Sequence, residues 1–204
     1  MITLEFLITS LVVVLIPGTG VIYTVSTGIA QGRKASVYAA LGCTAGIVPH
    51  LLATVLGLAA VMHTSALAFQ MLKYAGAAYL LYVAYATWRD KSGFAVDGNA
   101  PKVSATSLML KAMLLNTLNP KLTIFFLAFL PQFVDASSAH PLGHLLVLSG
   151  IFMAMTFAIF VVYGFMAHAF RRFVVESKTV QRTMRNGFAA VFAGLGAKLA
   201  LSEK

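Results

Sequence analysis

Apolar residues gather into six runs, about 3 to 27, 37 to 62, 66 to 88, 112 to 134, 143 to 169 and 186 to 202. At 1.5 Å per residue, a run of about 20 covers the roughly 30 Å hydrocarbon core of a bilayer. The pattern predicts an all-α, polytopic membrane protein with six transmembrane helices and little chain left for a soluble domain. Two runs are interrupted at their middles. Leu118-Asn119-Pro120-Lys121 cuts the fourth, and Pro17-Gly18-Thr19-Gly20 cuts the first.

The interruptions are predicted breaks at matching depths. Lys121 lies about ten residues, or some 15 Å, from the polar end at Lys111, beyond easy snorkelling reach. A lysine at the bilayer centre costs about 2.5 to 3.5 kcal/mol on insertion scales, so it marks a functional site with an anionic or carbonyl partner. Pro120 has no N–H, so the carbonyl of Asn116 loses its helical donor. Pro17 frees the carbonyl of Val13 in the same way, and Gly18 and Gly20 allow unwinding or close approach. A kink that serves packing alone is the other reading of Pro17.

Charge sets the orientation. Arg33 and Lys34 lie in the first loop, Arg89, Lys91, Lys102 and Lys111 in the third, and Arg171, Arg172, Lys178, Arg182 and Arg185 in the fifth. The second and fourth loops have no Lys or Arg, which places both termini outside the cytoplasm. A net charge of +9 distributed this way fits anionic lipid headgroups, not nucleic acid. Only 10% of residues are charged and the mean hydropathy is +0.86. The polar stretch 89–106, with Gly93, Asp97, Gly98, Asn99 and Pro101, reads as a cytoplasmic linker between a first three-span unit, 1–88, and a second, 107–204. Three spans is an odd number, so the units are expected to be inverted repeats, the plan of secondary transporters that bind substrate where discontinuous helices meet.

Other residues carry two readings each. Gly42 and Gly46, four apart, suit close helix packing, as does Gly76 in the third run. His50, mid-run beside Pro49, is either a hydrogen-bonded packing residue or a proton carrier. Lys73 either snorkels or serves proton coupling. His140 and His144 lack other ligand types, so no metal site is expected, and the lone Cys43 excludes an intramolecular disulfide. The basic run from Arg171 to Arg185 reads as an inner-leaflet anchor.

Several separated motifs agree in order with a known family. Leu15-Ile16-Pro17-Gly18-Thr19-Gly20 with Gly28 and Gly32, Leu41-Gly42 and Gly46, Lys73 to Tyr79, and Leu118-Asn119-Pro120-Lys121 through Phe129-Leu130-Pro131-Gln132-Phe133 resemble the LysE/RhtB family of amino-acid exporters over nearly the whole chain. The resemblance implies a six-span permease of the bacterial inner membrane that exports amino acids in exchange for protons. Thr19 stands where the family has a second proline. Ile47 stands where exporters of basic amino acids carry an acid, so a neutral substrate of the threonine, homoserine or leucine kind is favoured.

The residues expected to bind substrate are Pro17, Gly18, Gly20, Asn116, Asn119, Pro120 and Lys121. Lys121 takes the carboxylate, and the carbonyls of Val13 and Asn116, with the Asn116 and Asn119 side chains, take the ammonium. His50 and Lys73 are the candidates for proton coupling. No cofactor is called for, and with Asp90, Asp97 and Asp135 all in loops the chain does not read as an enzyme. A channel or facilitator for another small polar solute is the alternative, and the glycine faces offer surfaces for a homodimer.

Overall fold

The computed structural model describes residues 2–62, 66–89, 103–134, 140–170 and 177–201, and these are almost entirely helical. The first run is two helices, α1 (Leu4–Leu15) and α2 (Thr19–Gln31), bent by 53° at Pro17. Thr3 caps α1 by accepting from the Phe6 N–H at 3.2 Å. The second run is α3 (Arg33–Ala45) and α4 (Val48–Met62), and α5 (Ala66–Arg89) is the third. The fourth comprises α6 (Ala105–Thr117) and α7 (Pro120–Ile124), continued by a π-helical turn, Phe125–Phe129, and a 3-10 turn, Leu130–Phe133. The two halves of this run are bent by 59°. Then follow α8 (Pro141–Phe165), the short α9 (Ala167–Phe170) and α10 (Lys178–Leu201).

Three boundaries differ from the apolar pattern. The fourth run begins at Ala105, not 112, because Ser104 caps the helix, accepting from the Ser107 N–H. Lys111 therefore lies inside α6, its ammonium 5.7 Å from the centre of the Tyr23 ring, and is not the polar end of the helix. Helix α10 starts at Lys178, so Lys178, Arg182 and Arg185 belong to a helix. The second run has a discontinuity of its own at Gly46–Ile47, and Pro49 sits in the first turn of α4, where a missing N–H disturbs no hydrogen bond.

Among the described residues, Arg33–Gly57 and Pro141–Phe165 are each long and apolar enough to cross a membrane. Four segments are, if each bent pair counts as one span. Helix α3 packs against α6, α2 and α8, while α5 and α10 lie against each other. Gly32, at φ +88°, makes the reversal from α2 to α3, a conformation that side chains disfavour. One end of the bundle gathers the close of α2, the start of α3, the start of α6 and the end of α8. There Val103 N–H donates to Gln31 Oε1 at 3.0 Å, and the Arg33 guanidinium lies 5.9 Å from the Phe165 ring centre.

Small residues set the spacing at the centre. A Cβ on Gly42 would strike the Met109 carbonyl and come within 2.8 Å of the Ala112 methyl. One on Gly46 would lie 2.6 Å from the Met113 carbonyl, and one on Gly28 would lie 2.7 Å from the Gly164 carbonyl. Such approach gains dispersion contacts where lipid gives no hydrophobic drive between helices. The second half of the fourth run is held by aromatic rings. Phe125 stacks on Phe152 of α8 with centroids 4.3 Å apart, and Phe133 meets Phe6 of α1 edge-on at 5.5 Å. Lys73 and Gly76 lie on α5, but the Lys73 side chain, the surroundings of Gly76 and most of the linker 89–106 fall outside the described residues.

Gly42→Ala is expected to separate α3 from α6 and destabilise the protein by about 1 to 3 kcal/mol. Gly57→Ala, with open space around its Cβ position, is expected to leave stability unchanged or slightly raised. Thermal unfolding of both variants in detergent checks the contrast.

Candidate substrate site at the two helix breaks

The two breaks face each other across the bundle. At the first, the chain leaves the helix at Ile16, with φ −63° and ψ 116°. Pro17 cannot donate to Val13, and the turn at 16–18 removes the helical donor of Ile16. Both carbonyls are taken by one group. The Lys121 ammonium donates to the Val13 carbonyl at 3.0 Å and to the Ile16 carbonyl at 2.8 Å. Of the two carbonyls between them in sequence, that of Leu15 accepts from the Tyr163 hydroxyl at 2.9 Å. The C-terminal end of α1 carries the negative end of its dipole, so a cation there is doubly favoured. The site has a carbonyl partner for Lys121, not an anionic one.

At the second break, an asparagine begins the new helix. Asn119 caps α7, its Oδ1 accepting from the Lys121 backbone N–H at 3.1 Å, and Pro120 holds the first helical position. That cap fixes the backbone from which the Lys121 side chain extends. Asn119 Nδ2 donates to Asn116 Oδ1 at 3.2 Å. Asn116 Nδ2 donates to the Cys43 carbonyl at 2.6 Å. That carbonyl needs a donor because the Ile47 N–H turns to Thr44 at the discontinuity between α3 and α4. The Asn116 and Asn119 side chains are thus engaged in holding three helix ends together, at 2% and 5% exposure.

The carbonyl of Asn116 is engaged as well. It accepts from the Asn119 N–H at 3.1 Å and faces His50 Nε2 at 3.2 Å. A carbonyl only accepts, so His50 carries its proton on Nε2. The other ring nitrogen, Nδ1, lies 3.4 Å from the Thr123 hydroxyl, which is itself 3.4 Å from the Asn119 carbonyl. His50 and Lys121 therefore sit on one continuous polar network around the second break.

A cavity lies between the breaks, lined by Gly18, Gly20, Asn116, Asn119 and Lys121 on one side and by Phe152, Thr156 and Phe160 of α8 on the other. It has room for about one water. A Cβ on Gly20 would lie 2.8 Å from Asn116 Oδ1 and 2.9 Å from the Phe160 ring, and one on Gly18 would lie 3.5 Å from the Lys121 ammonium. Five of the sequence-predicted residues, Gly18, Gly20, Asn116, Asn119 and Lys121, thus line one small space, and the two prolines bound it in the chain. The α8 wall carried no signal in the sequence, since Phe152, Thr156 and Phe160 are ordinary residues of an apolar run. The structure also gives Tyr163 a partner at the break that its sequence position did not reveal.

The model of the family described as LysE type translocator matches residues 11–203. The chain belongs to this family. It is 33% identical over 202 residues to an uncharacterized membrane protein of Vibrio cholerae, covering 98% of this chain and 97% of the relative. It is 29% identical over 195 residues to the homoserine/homoserine lactone efflux protein of Salmonella typhimurium, covering 96% and 94%. It is 26% identical over 202 residues to the leucine efflux protein of Klebsiella pneumoniae, covering 97% and 93%. No solved structure matches the chain. As a LysE type translocator it is a transporter, a multi-pass protein of the bacterial inner membrane that acts on a small-molecule substrate in a lipid setting.

Asn116→Leu keeps most of the side-chain volume but leaves the Cys43 carbonyl and Asn119 Nδ2 without these partners. A buried polar group stranded in this way costs about 1 to 3 kcal/mol, so a fall of that size or more is expected in thermal or denaturant unfolding.

Proposed function

We propose that this protein is a secondary transporter that exports neutral amino acids of the homoserine, threonine or leucine kind across the inner membrane, in exchange for protons. The observation that carries the reading is the Lys121 ammonium, held at a cavity shared by both helix breaks against carbonyls that Pro17 helps to free. An amino acid carries one anion and one cation, and this site offers a cation, backbone carbonyls and an apolar wall. The substrate carboxylate pairs with Lys121. Gly18, Gly20 and Val21, at the start of α2, which has no side-chain cap, line the same space, and a helix N-terminus favours negative charge. The side chain lies toward Phe152 and Phe160, with the Thr156 hydroxyl among them. The names of the Salmonella and Klebsiella relatives support the substrate class.

Six spans arranged as two inverted units of three, 1–88 and 107–204, form part of the proposal. Helices α5 and α10 have 24 residues each, about 36 Å of helix. Support for the repeat comes from contacts between equivalents. The first broken span touches the fourth through Lys121, α3 packs on α8, and α5 packs on α10, as they would if a two-fold axis ran between the units. The gathering of Gln31, Arg33, Val103 and Phe165 at one end supports that end as cytoplasmic. A homodimer would use surfaces other than the Gly42–Gly46 face, which α6 fills.

His50 is the proposed proton carrier. In the neutral ring, Nδ1 accepts from the Thr123 hydroxyl. After protonation Nδ1–H donates to the same oxygen, and the hydroxyl proton turns to the Asn119 carbonyl. Both charge states keep their hydrogen bonds, and the added charge acts on the network that carries Asn119 and Lys121. A cavity with room for about one water supports a gated transporter over an open channel.

Cells loaded with single amino acids test the reading. Gradient-dependent efflux of a neutral amino acid is expected with the wild-type protein. Efflux is expected to be lost in a Lys121→Ala variant that still reaches the membrane. Efflux from His50→Phe is expected to lose its dependence on the proton gradient. Normal export by Lys121→Ala would contradict the site, and unchanged proton coupling in His50→Phe would contradict the carrier.

A further inference from the structure

The Val13 and Ile16 carbonyls form a cradle built for an ammonium group, and the protein fills it with its own. Val13 lacks a helical donor because residue 17 is proline, and Ile16 lacks one because the chain leaves the helix there. The two oxygens converge on one nitrogen at 3.0 and 2.8 Å, at the negative end of the α1 dipole. Gly18 presents no side chain to that nitrogen, so the cradle stays open toward the cavity. The cavity has room for about one water, far less than an amino acid needs, so binding must move a group that now fills the space. The Lys121 side chain, on its flexible four-carbon stem, is the one cation among the cavity-lining residues.

Resting on the amino-acid reading above, we propose that the Val13 and Ile16 carbonyls are the ammonium subsite for the substrate, and that Lys121 occupies it as a tethered stand-in until substrate arrives. The incoming carboxylate draws the Lys121 ammonium out of the cradle, and the substrate ammonium takes its place. Charge is conserved at both positions through the exchange, and no bond is made or broken. A zwitterion can carry out this exchange. A simple amine does so only at a cost, because it expels the Lys121 cation without offering an anion to receive it. The same device keeps the empty site closed: without substrate, the two breaks are tied together through Lys121.

The test measures binding of 3-methylbutylamine, which is leucine without its carboxylate, and of L-leucine and L-homoserine to the purified protein in lipid nanodiscs. In wild-type protein the amine competes against the tethered lysine and binds weakly. In Lys121→Met the cradle is vacant, and the amine is expected to bind about tenfold tighter or more, the range of a charge-assisted hydrogen bond. Lys121→Gln, which sets a neutral amide against the amine, is the second variant should the methionine protein not fold, and the same direction is expected. Equal amine affinity in wild-type and variant protein, or no amine binding in either, overturns the tethered stand-in. Failure of wild-type protein to bind L-leucine or L-homoserine instead contradicts the proposed substrate class, and the amine's gain in the variant still decides the cradle.

Discussion

A cation within a bilayer has to be met by polar atoms that lipid does not supply, and the meeting of Lys121 with the end of α1 answers that constraint. The helix ends early because Pro17 withholds one donor and the turn after Ile16 withholds another. A bilayer would penalise each of those bare carbonyls by several kcal/mol. The ammonium offsets the carbonyls and the carbonyls offset the ammonium. Each feature lowers the cost of the other in a membrane, so the two breaks are coupled even though some hundred residues separate them in sequence.

The rest of the centre follows from the same requirement at other helix ends. The discontinuity between α3 and α4 strands the Cys43 carbonyl, and Asn116 supplies the amide. The discontinuity between α6 and α7 takes the helical donor from the Asn116 carbonyl, which the Asn119 N–H and the His50 ring nitrogen replace. Thr123 joins that ring to the Asn119 carbonyl. Asn116 and His50 each reach a backbone carbonyl at the end of another helix, and Asn119 caps its own, so that these three side chains sit almost fully buried with their hydrogen bonds made. Glycines at 20, 42 and 46 let the helices come near enough for these short side chains to reach. Together these features leave a polar centre that is cross-linked and small, with aromatic packing on α8 as its outer wall.

Much of this was legible in the sequence, for reasons that can be named. Proline removes a donor from a known carbonyl, so the freed oxygen of Val13 could be written down from residue 17 alone, and a lysine far from either polar end had to find a partner inside. The family, the all-helical class and the bends at Pro17 and Pro120 were equally accessible. Other features were not. Hydropathy does not see a cap, so the start of α6 was placed at 112 when Ser104 had already begun the helix. Pro49 pointed to a freed carbonyl in the second run, but a proline does not say whether it bends a helix or opens a new one, so the turn at Gly46–Ile47 was not located. Pairing across the fold was beyond reach too. Nothing in the local sequence says that the Asn116 carbonyl faces His50, or that the Val13 carbonyl already holds an ammonium belonging to the protein itself.

The central claim is that a single lysine serves both the closed site and the occupied one, and a structure determined in lipid nanodiscs with a neutral amino acid bound tests it most directly. The account predicts the Lys121 ammonium on the substrate carboxylate, and the substrate ammonium within hydrogen-bond distance of the Val13 and Ile16 carbonyls. An amino acid bound elsewhere, or one bound at the breaks with Lys121 still on those two carbonyls, would contradict it.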